Sequence, residues 1–439
     1  MNGLRVNASP LDLRLFGKEA LSFRQNLTWA LLGNGVSMFF SWVLLVLLTK
    51  LSAASVVGEF ALAQAVGLPI YLFFGLKLSL VQVTDSKNQY SVDDYYAVKV
   101  LTSIAIVVGA AIAGFAAYDA TTGMAIAALG LSYGIMSFRE LFLAVMQKRE
   151  MMNLIAISHM LNGLAGVALF CIAFILTANL AVALLALTAG RVLTLYLYDL
   201  PVSRRVLASA SSGDAQPRHF SLHARWDVPR IWEIARISLP LGIVALLTTV
   251  LTSAPRLILD QWAGVSQVGY FAALSALLVV GDAFMIAVSQ SIVPRLAKSY
   301  QEDYPQFRHL VRRLVSIGLA TGVAGIAVGA LFGRQILSLM FTPAYSAYAG
   351  VLVLLLVGGA ALILFSCMNV ILSAARMFSV QLPVYLFAAA SCIVSSFLLI
   401  PQLGITGAAI AYTCGNTAGL LAALAVVLWS VMRQKPSIS

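Results

Sequence analysis

Apolar runs of helical, membrane-spanning length recur along the whole chain, separated by short polar stretches. Crossing a hydrocarbon core of roughly 30 Å takes about 20 apolar residues in a helix, which satisfies its own backbone there. The runs predict twelve spans, at 27–49, 59–83, 97–118, 123–147, 153–177, 180–200, 237–260, 268–292, 311–333, 348–374, 380–400 and 404–432. The expected fold class is therefore all-α, a polytopic membrane protein. The one long polar stretch, 201–236, holds SASSGDAQPRHF and then RWDVPRIWEIARISLP. It reads as a linker followed by a short interfacial helix, with Trp226, Trp232 and arginines at headgroup level. It divides the chain into a lobe at 27–200 and a lobe at 237–432, with polar tails at 1–26 and 433–439.

Composition sharpens this picture. Of 439 residues, 61% are hydrophobic and 10% charged, against about 25% charged in soluble domains. An ordinary soluble enzyme is excluded. The net charge of +11 would suit a nucleic-acid binder, but the cations follow the spans instead. With the N-terminus inside, 22 of the 28 Lys and Arg, including Lys87 and Lys99, fall on the inner side and 2 on the outer. That bias predicts both termini in the cytoplasm. The first apolar run is too long for a cleaved signal and reads as a retained span. Cys171, Cys367, Cys392 and Cys414 all lie in apolar runs without a C-x-x-C pair, which predicts free thiols. His219 and His223 are four apart, but without neighbouring Cys or clustered acids they predict no zinc site.

The two lobes echo one another. VGEFALAQA at 57–65 aligns with VGYFAALSA at 268–276 at a constant offset of 211, with five of nine positions identical. The same offset pairs Ser41 with Thr252 and Ser37 with Thr248. Parallel repeats related by an axis along the membrane normal are a common transporter design, with the substrate path between the lobes.

TKLSAASVVGEFALAQAV, ISLPLGIVALLTTVLTSAPRLIL, VGYFAALSALL, VSQSIVPRLAKSYQE and IPQLGITGAAIAYTCGNTAG together carry a resemblance across nearly the whole chain. It resembles the Wzx-type oligosaccharide and polysaccharide flippases of the multidrug/oligosaccharidyl-lipid/polysaccharide exporter superfamily. That resemblance implies movement of a polyprenyl-pyrophosphate-linked oligosaccharide from the cytoplasmic to the periplasmic leaflet. One departure is visible: relatives often place an acidic residue before the arginine ending the seventh span, whereas here Pro255 precedes Arg256.

Charges inside spans carry the candidate chemistry, because an ion at the bilayer centre is expensive and usually faces a cavity or a partner. Arg191 lies about 15 Å into its span, near the midplane. Lys77, Arg139 and Arg256 sit nearer span ends, where a long cation either lines a cavity or snorkels to the headgroups. Arg139 is followed by Glu140, but adjacent helical positions point apart and need not pair. Asn34, Ser37 and Ser41 form a polar stripe on the first span, and Thr249, Thr252, Arg256 and Asp260 another on the seventh. These stripes serve either a shared cavity or helix–helix packing. Cations there would hold a diphosphate, and hydroxyl and amide groups the sugars. Asp282, Glu59 and Asp260 are candidates for coupling to H+ or Na+; His159 is a further one, with packing as its plainer role.

The expected function is thus flipping by alternating access, with no cofactor and no covalent chemistry. The expected partners are the lipid-linked substrate, membrane lipids and biosynthetic machinery such as a polysaccharide polymerase or glycosyltransferases. A cation-coupled multidrug antiporter is the alternative, and it would favour acids over cations in the cavity. A membrane polymerase or ligase would want a large catalytic outer loop, yet the longest one expected, 334–347, holds no catalytic pair.

Overall fold

The computed structural model describes residues 23–85, 89–211, 226–375 and 377–431, and every element in it is helical. Residues 1–22 and 433–439 of the expected tails, and 212–225 of the linker with His219 and His223, lie outside the described residues. Helix α1 is Phe23–Leu51, α2 Ala54–Phe74, α3 Leu78–Thr84, α4 Val92–Ala117, α5 Ala120–Lys148 and α6 Met152–Thr177. Helix α7, Leu180–Thr194, runs through a π-helical turn, Leu195–Asp199, into α8, Leu200–Ser211. The second lobe comprises α9 (Val228–Ala263), α10 (Val265–Ala276), α11 (Val279–Glu302), α12 (Tyr304–Met340), α13 (Ala349–Ala374), α14 (Phe378–Leu403) and α15 (Ile405–Val426). Among the described residues eleven helical stretches are long and apolar enough to cross a membrane.

Four expectations change. The span at 268–292 is two helices, α10 and α11, because Leu277 and Leu278 make i→i−3 bonds to Leu274 and Ser275, a local tightening of the helix. The span at 59–83 breaks at Gly75–Lys77, where Leu76 and Lys77 both adopt left-handed backbone, φ 53° and 50°. The interfacial helix expected within 226–236 is instead the opening of α9. Pro229 sits in its first turn, where a missing N–H costs nothing, and the helix then runs unbroken into the seventh span. Helix α12 also reaches Met340, so the outer loop expected at 334–347 shrinks to a short turn and the 3-10 helix Pro343–Tyr348.

The repeat offset is visible in the backbone. Helices α2 and α10 begin at Ala54 and Val265, 211 residues apart. They cross so closely that a Cβ at Gly58 would collide with the Val265 carbonyl, and one at Gly269 with the Ala54 carbonyl. Each lobe has its own apolar core, one around Leu48, Ile126 and Phe170 and the other around Leu314, Phe365 and Ile371. Two further clusters join the lobes. Ala61 and Leu62 of α2 pack with Leu259, Phe271 and Tyr412 at one level. Ile234 of α9 packs with Leu76, Tyr95 and Phe142 at the other. There Arg230 of α9 also pairs with Asp94 of α4 at 3.3 Å, and Gly242 abuts the α2–α3 break at the Phe73 carbonyl.

Candidate functional site: a cavity between the lobes

Between these two lobe contacts lies a cavity of about 390 Å³. The first lobe supplies Ser37, Ser41, Trp42, Gln64 and Tyr133, and the second Thr252, Ser253, Arg256, Ser275 and Tyr412. The offset of 211 relates five lining pairs: Ser41 with Thr252, Trp42 with Ser253, Leu45 with Arg256, Gln64 with Ser275, and Leu68 with Val279. The walls are therefore two copies of one surface, and charge distinguishes them at Leu45 and Arg256. The cavity lining contains no Asp or Glu among the described residues.

Helical phase explains the convergence. Ser37, Ser41 and Leu45 are four apart on α1, as are Thr252 and Arg256 on α9, so each set shares one face. The hydroxyls satisfy their donors on their own helices: Ser41 Oγ donates to the Ser37 carbonyl at 2.9 Å and Thr252 Oγ1 to the Thr249 carbonyl at 3.0 Å. Their oxygens remain free to accept. Arg256 Nη2 donates to Ser275 Oγ at 3.1 Å, and its Nε has no partner. Arg191, on α7 behind the cavity wall, donates from Nη1 to the Ser132 carbonyl at 2.9 Å, and its Nε is likewise unpartnered. Both guanidiniums lie within electrostatic reach of the Tyr133 hydroxyl.

The remaining candidates are distributed elsewhere. Asn34 and His159 line a second cavity of about 390 Å³ inside the first lobe, together with Trp29, Ser79, Glu140 and Gln147. Thr249 is buried and donates to the Leu246 carbonyl at 2.7 Å, away from the central cavity. Lys77 is exposed at the α2–α3 break. Glu59 and Asp260 both lie within electrostatic reach of Asp119, at the α4–α5 connection. Asp282 is on α11, but its side chain lies outside the described residues.

Arg139 is not on the central cavity. Its Nε meets Asp199 Oδ2 at 2.6 Å and its Nη2 meets Ser158 Oγ at 2.9 Å, while Ser158 Oγ donates to Asp199 Oδ1 at 2.6 Å. Arg139 and Asp199 are 3% and 0% exposed. Arg139 and Glu140 do point apart, each to its own partner. Glu140 accepts from Lys99 Nζ at 3.0 Å and from the Tyr71 hydroxyl. Lys99 is thus no inner-loop cation: it sits within α4, fully buried, with Ser137 Oγ also at 3.2 Å. The sequence reading missed Lys99, Asp199, Tyr71 and Tyr133. An Asp at the end of a span and two tyrosines inside apolar runs were the available signals.

The fold defines a class. The chain superimposes on an inward-facing multidrug resistance MATE family transporter of the MOP superfamily with a TM-score of 0.66, 14% identity, and coverage of 92% of this chain and 98% of that one. It superimposes on the lipid II flippase MurJ in an inward closed conformation with a TM-score of 0.72 and 11% identity, covering 90% and 86%. Within that fold, residues 23–300 match the polysaccharide biosynthesis protein family, and the chain belongs to it. It is 25% identical over 402 residues to the capsular polysaccharide biosynthesis protein CapF of Staphylococcus aureus, covering 90% of this chain and 97% of that protein.

Proposed function

We propose that the protein flips a polyprenyl-pyrophosphate-linked oligosaccharide from the cytoplasmic to the periplasmic leaflet of a bacterial inner membrane, for cell-surface polysaccharide synthesis. The observation that carries this reading is the central cavity: an arginine with an unpartnered Nε, ringed by hydroxyl, amide and aromatic groups. A diphosphate takes charge-assisted bonds from guanidinium, whose fork matches its oxygens. Sugars take hydrogen bonds from Ser, Thr and Gln and stack on aromatic rings such as Trp42 and Tyr412. No bond is made or broken, so the work is binding and alternating exposure rather than catalysis. Both termini are cytoplasmic in this reading, and a polymerase or glycosyltransferase receives or supplies the lipid-linked saccharide. Arg191, Arg139, Lys77, Asn34 and Thr249 lie off the central cavity in this conformation; of these, Arg191 is the one that acts on it, through Tyr133. Ion coupling, to H+ or Na+, supplies direction.

Gene deletion followed by lipid extraction and surface-polysaccharide analysis tests the proposal. Lipid-linked oligosaccharide held on the cytoplasmic leaflet, with surface polymer lost, is the expected result. Normal surface polymer with accumulation of cationic dyes would replace it with a multidrug antiporter.

A further inference from the structure

The buried ionic groups of the first lobe are not needed to line the central cavity, yet one of them connects that cavity to a second space. Glu140 is the only carboxylate lining the second cavity among the described residues, and its side chain is 27% exposed. Its two oxygens are held from opposite sides, Oε1 by the Tyr71 hydroxyl of α2 and Oε2 by Lys99 of α4. The Tyr71 ring stacks on Tyr133 with centroids 5.3 Å apart and planes 19° apart. Tyr133 lines the central cavity and feels both Arg191 and Arg256. A chain of groups therefore runs from the second cavity, through Glu140 and the stacked Tyr71 and Tyr133, to Arg256 in the central cavity and Arg191 behind its wall.

We propose that Glu140 is a proton-binding site, reached through the second cavity, whose occupancy is coupled to anion occupancy of the central cavity through Tyr71 and Tyr133. This deepens the flippase reading, on which its transport consequence rests. The proton enters on the face lined by His159 of α6 and by Asn34 and Trp29 of α1, with Ser79 of α3 beside them. A lone pair of one carboxylate oxygen forms the new O–H bond and gives the neutral acid, with no change of oxidation state, and Lys99 keeps its own proton and its bond to Ser137 Oγ. The Tyr71 hydroxyl then loses the anion it was donating to, and its ring is no longer pinned against Tyr133. The charged group nearest on α7, Arg191, acts on both tyrosines. Arg139 is occupied with Asp199 and stands apart from this chain. Removing a negative charge on this side strengthens the field of the arginines on an arriving diphosphate. By linkage, a bound diphosphate must then favour the protonated acid by the same factor.

The test is infrared difference spectroscopy of the purified full-length protein as the pH is lowered, with and without farnesyl diphosphate as the probe. A protonated-carboxyl band that grows at low pH and is missing in Glu140→Gln is the expected result. Farnesyl diphosphate should move its midpoint upward by roughly half a pH unit or more, a shift of about threefold or more in proton affinity. Tyr71→Phe keeps the ring and removes the donor, so it should displace the midpoint and weaken the effect of the probe. It also serves if Glu140→Gln does not fold. A band that persists in Glu140→Gln, or a midpoint indifferent to both farnesyl diphosphate and Tyr71→Phe, overturns the proposal. Flipping of a fluorescent lipid-linked saccharide in proteoliposomes separates the two readings. Absence of flipping with the band shift intact defeats the flippase reading alone, and flipping in Glu140→Gln with unchanged dependence on the pH gradient defeats the coupling alone.

Discussion

The two lobes share a fold and differ in what they bury. The first lobe encloses two ion pairs, Arg139–Asp199 and Lys99–Glu140, each tied to a serine. In the second lobe the buried polar groups are neutral among the described residues: Ser396 donates to the Cys392 carbonyl at 2.7 Å, and Asn416 to the Tyr412 carbonyl at 2.8 Å. Its own ion pairs among the described residues, Asp227–Arg230 and Lys298–Glu302, lie at the surface. Stability alone does not ask for buried charge, since desolvating an ion pair often costs as much as its attraction returns. A repeat that dispenses with such pairs shows that the architecture stands without them, so the first lobe keeps them for chemistry or for specificity.

The sharpest way to break this comparison is Asp199→Ala. It strands Arg139 in a closed interior, and a loss of about 3–5 kcal/mol is expected, read as a fall in the detergent unfolding midpoint and in membrane yield. Replacing both partners, Arg139→Leu with Asp199→Leu, should recover most of that loss and leave Lys99–Glu140 as the first lobe's remaining enclosed pair. Arg256→Ala removes the charge that separates the two cavity walls. Losing a hydrogen bond to a charged group, about 1.5–3 kcal/mol, predicts transport lowered by about 10- to 100-fold with insertion intact. Near-normal transport would mean the two walls are functionally alike. In the second lobe, Ser396→Ala takes out a neutral donor whose carbonyl partner keeps its helical bond, and the unfolding midpoint should move by about 1 kcal/mol or less.

The smallest effect concerns Asp119, which lies between spans and caps α5, accepting from the Thr121 and Thr122 amides at 3.0 and 3.3 Å. Hydrogen bonds from Thr122 hold its carboxyl below the usual aspartate range. Such a carboxylate stabilises the fold above the ordinary aspartate value, and the contribution is lost as the pH falls through the lowered one. Asp119→Asn keeps a capping oxygen without titrating, so its acid limb of stability against pH should be slightly flatter than that of the natural chain.

The spans were legible because hydrocarbon forces every backbone polar group to pair within its own segment, so length and apolarity decide them. The breaks were not. Nothing in LFFGLKLSL announces two successive left-handed residues; the break lies where α9 passes at Gly242 against the Phe73 carbonyl, a tertiary contact that local sequence does not encode. The cavity was half legible. The stripes on the first and seventh spans do meet, through Ser37, Ser41, Thr252 and Arg256, since both follow from helical phase. The ion pairs were hidden because the partners lie 60 and 41 residues apart, and only packing brings them together. Lys99 misled for a related reason: near a span end, a cation headed for the headgroups and one headed for a buried carboxylate look the same in sequence.

The glycine crossing of α2 and α10 has a bearing on how the cavity can carry a single charge. Gly58 meets Val265 while Gly269 meets Ala54, and the repeat offset turns each contact into the other. Between separate subunits, such reciprocity is the mark of an isologous two-fold interface, where every substitution is felt twice. A symmetric dimer that gained an arginine at this wall would set two like charges facing each other across one small space. Joined in a single chain, the two copies mutate independently. Leu45 is apolar where its counterpart is Arg256, so the single chain carries one charge at this wall while the crossing that holds the halves together stays reciprocal.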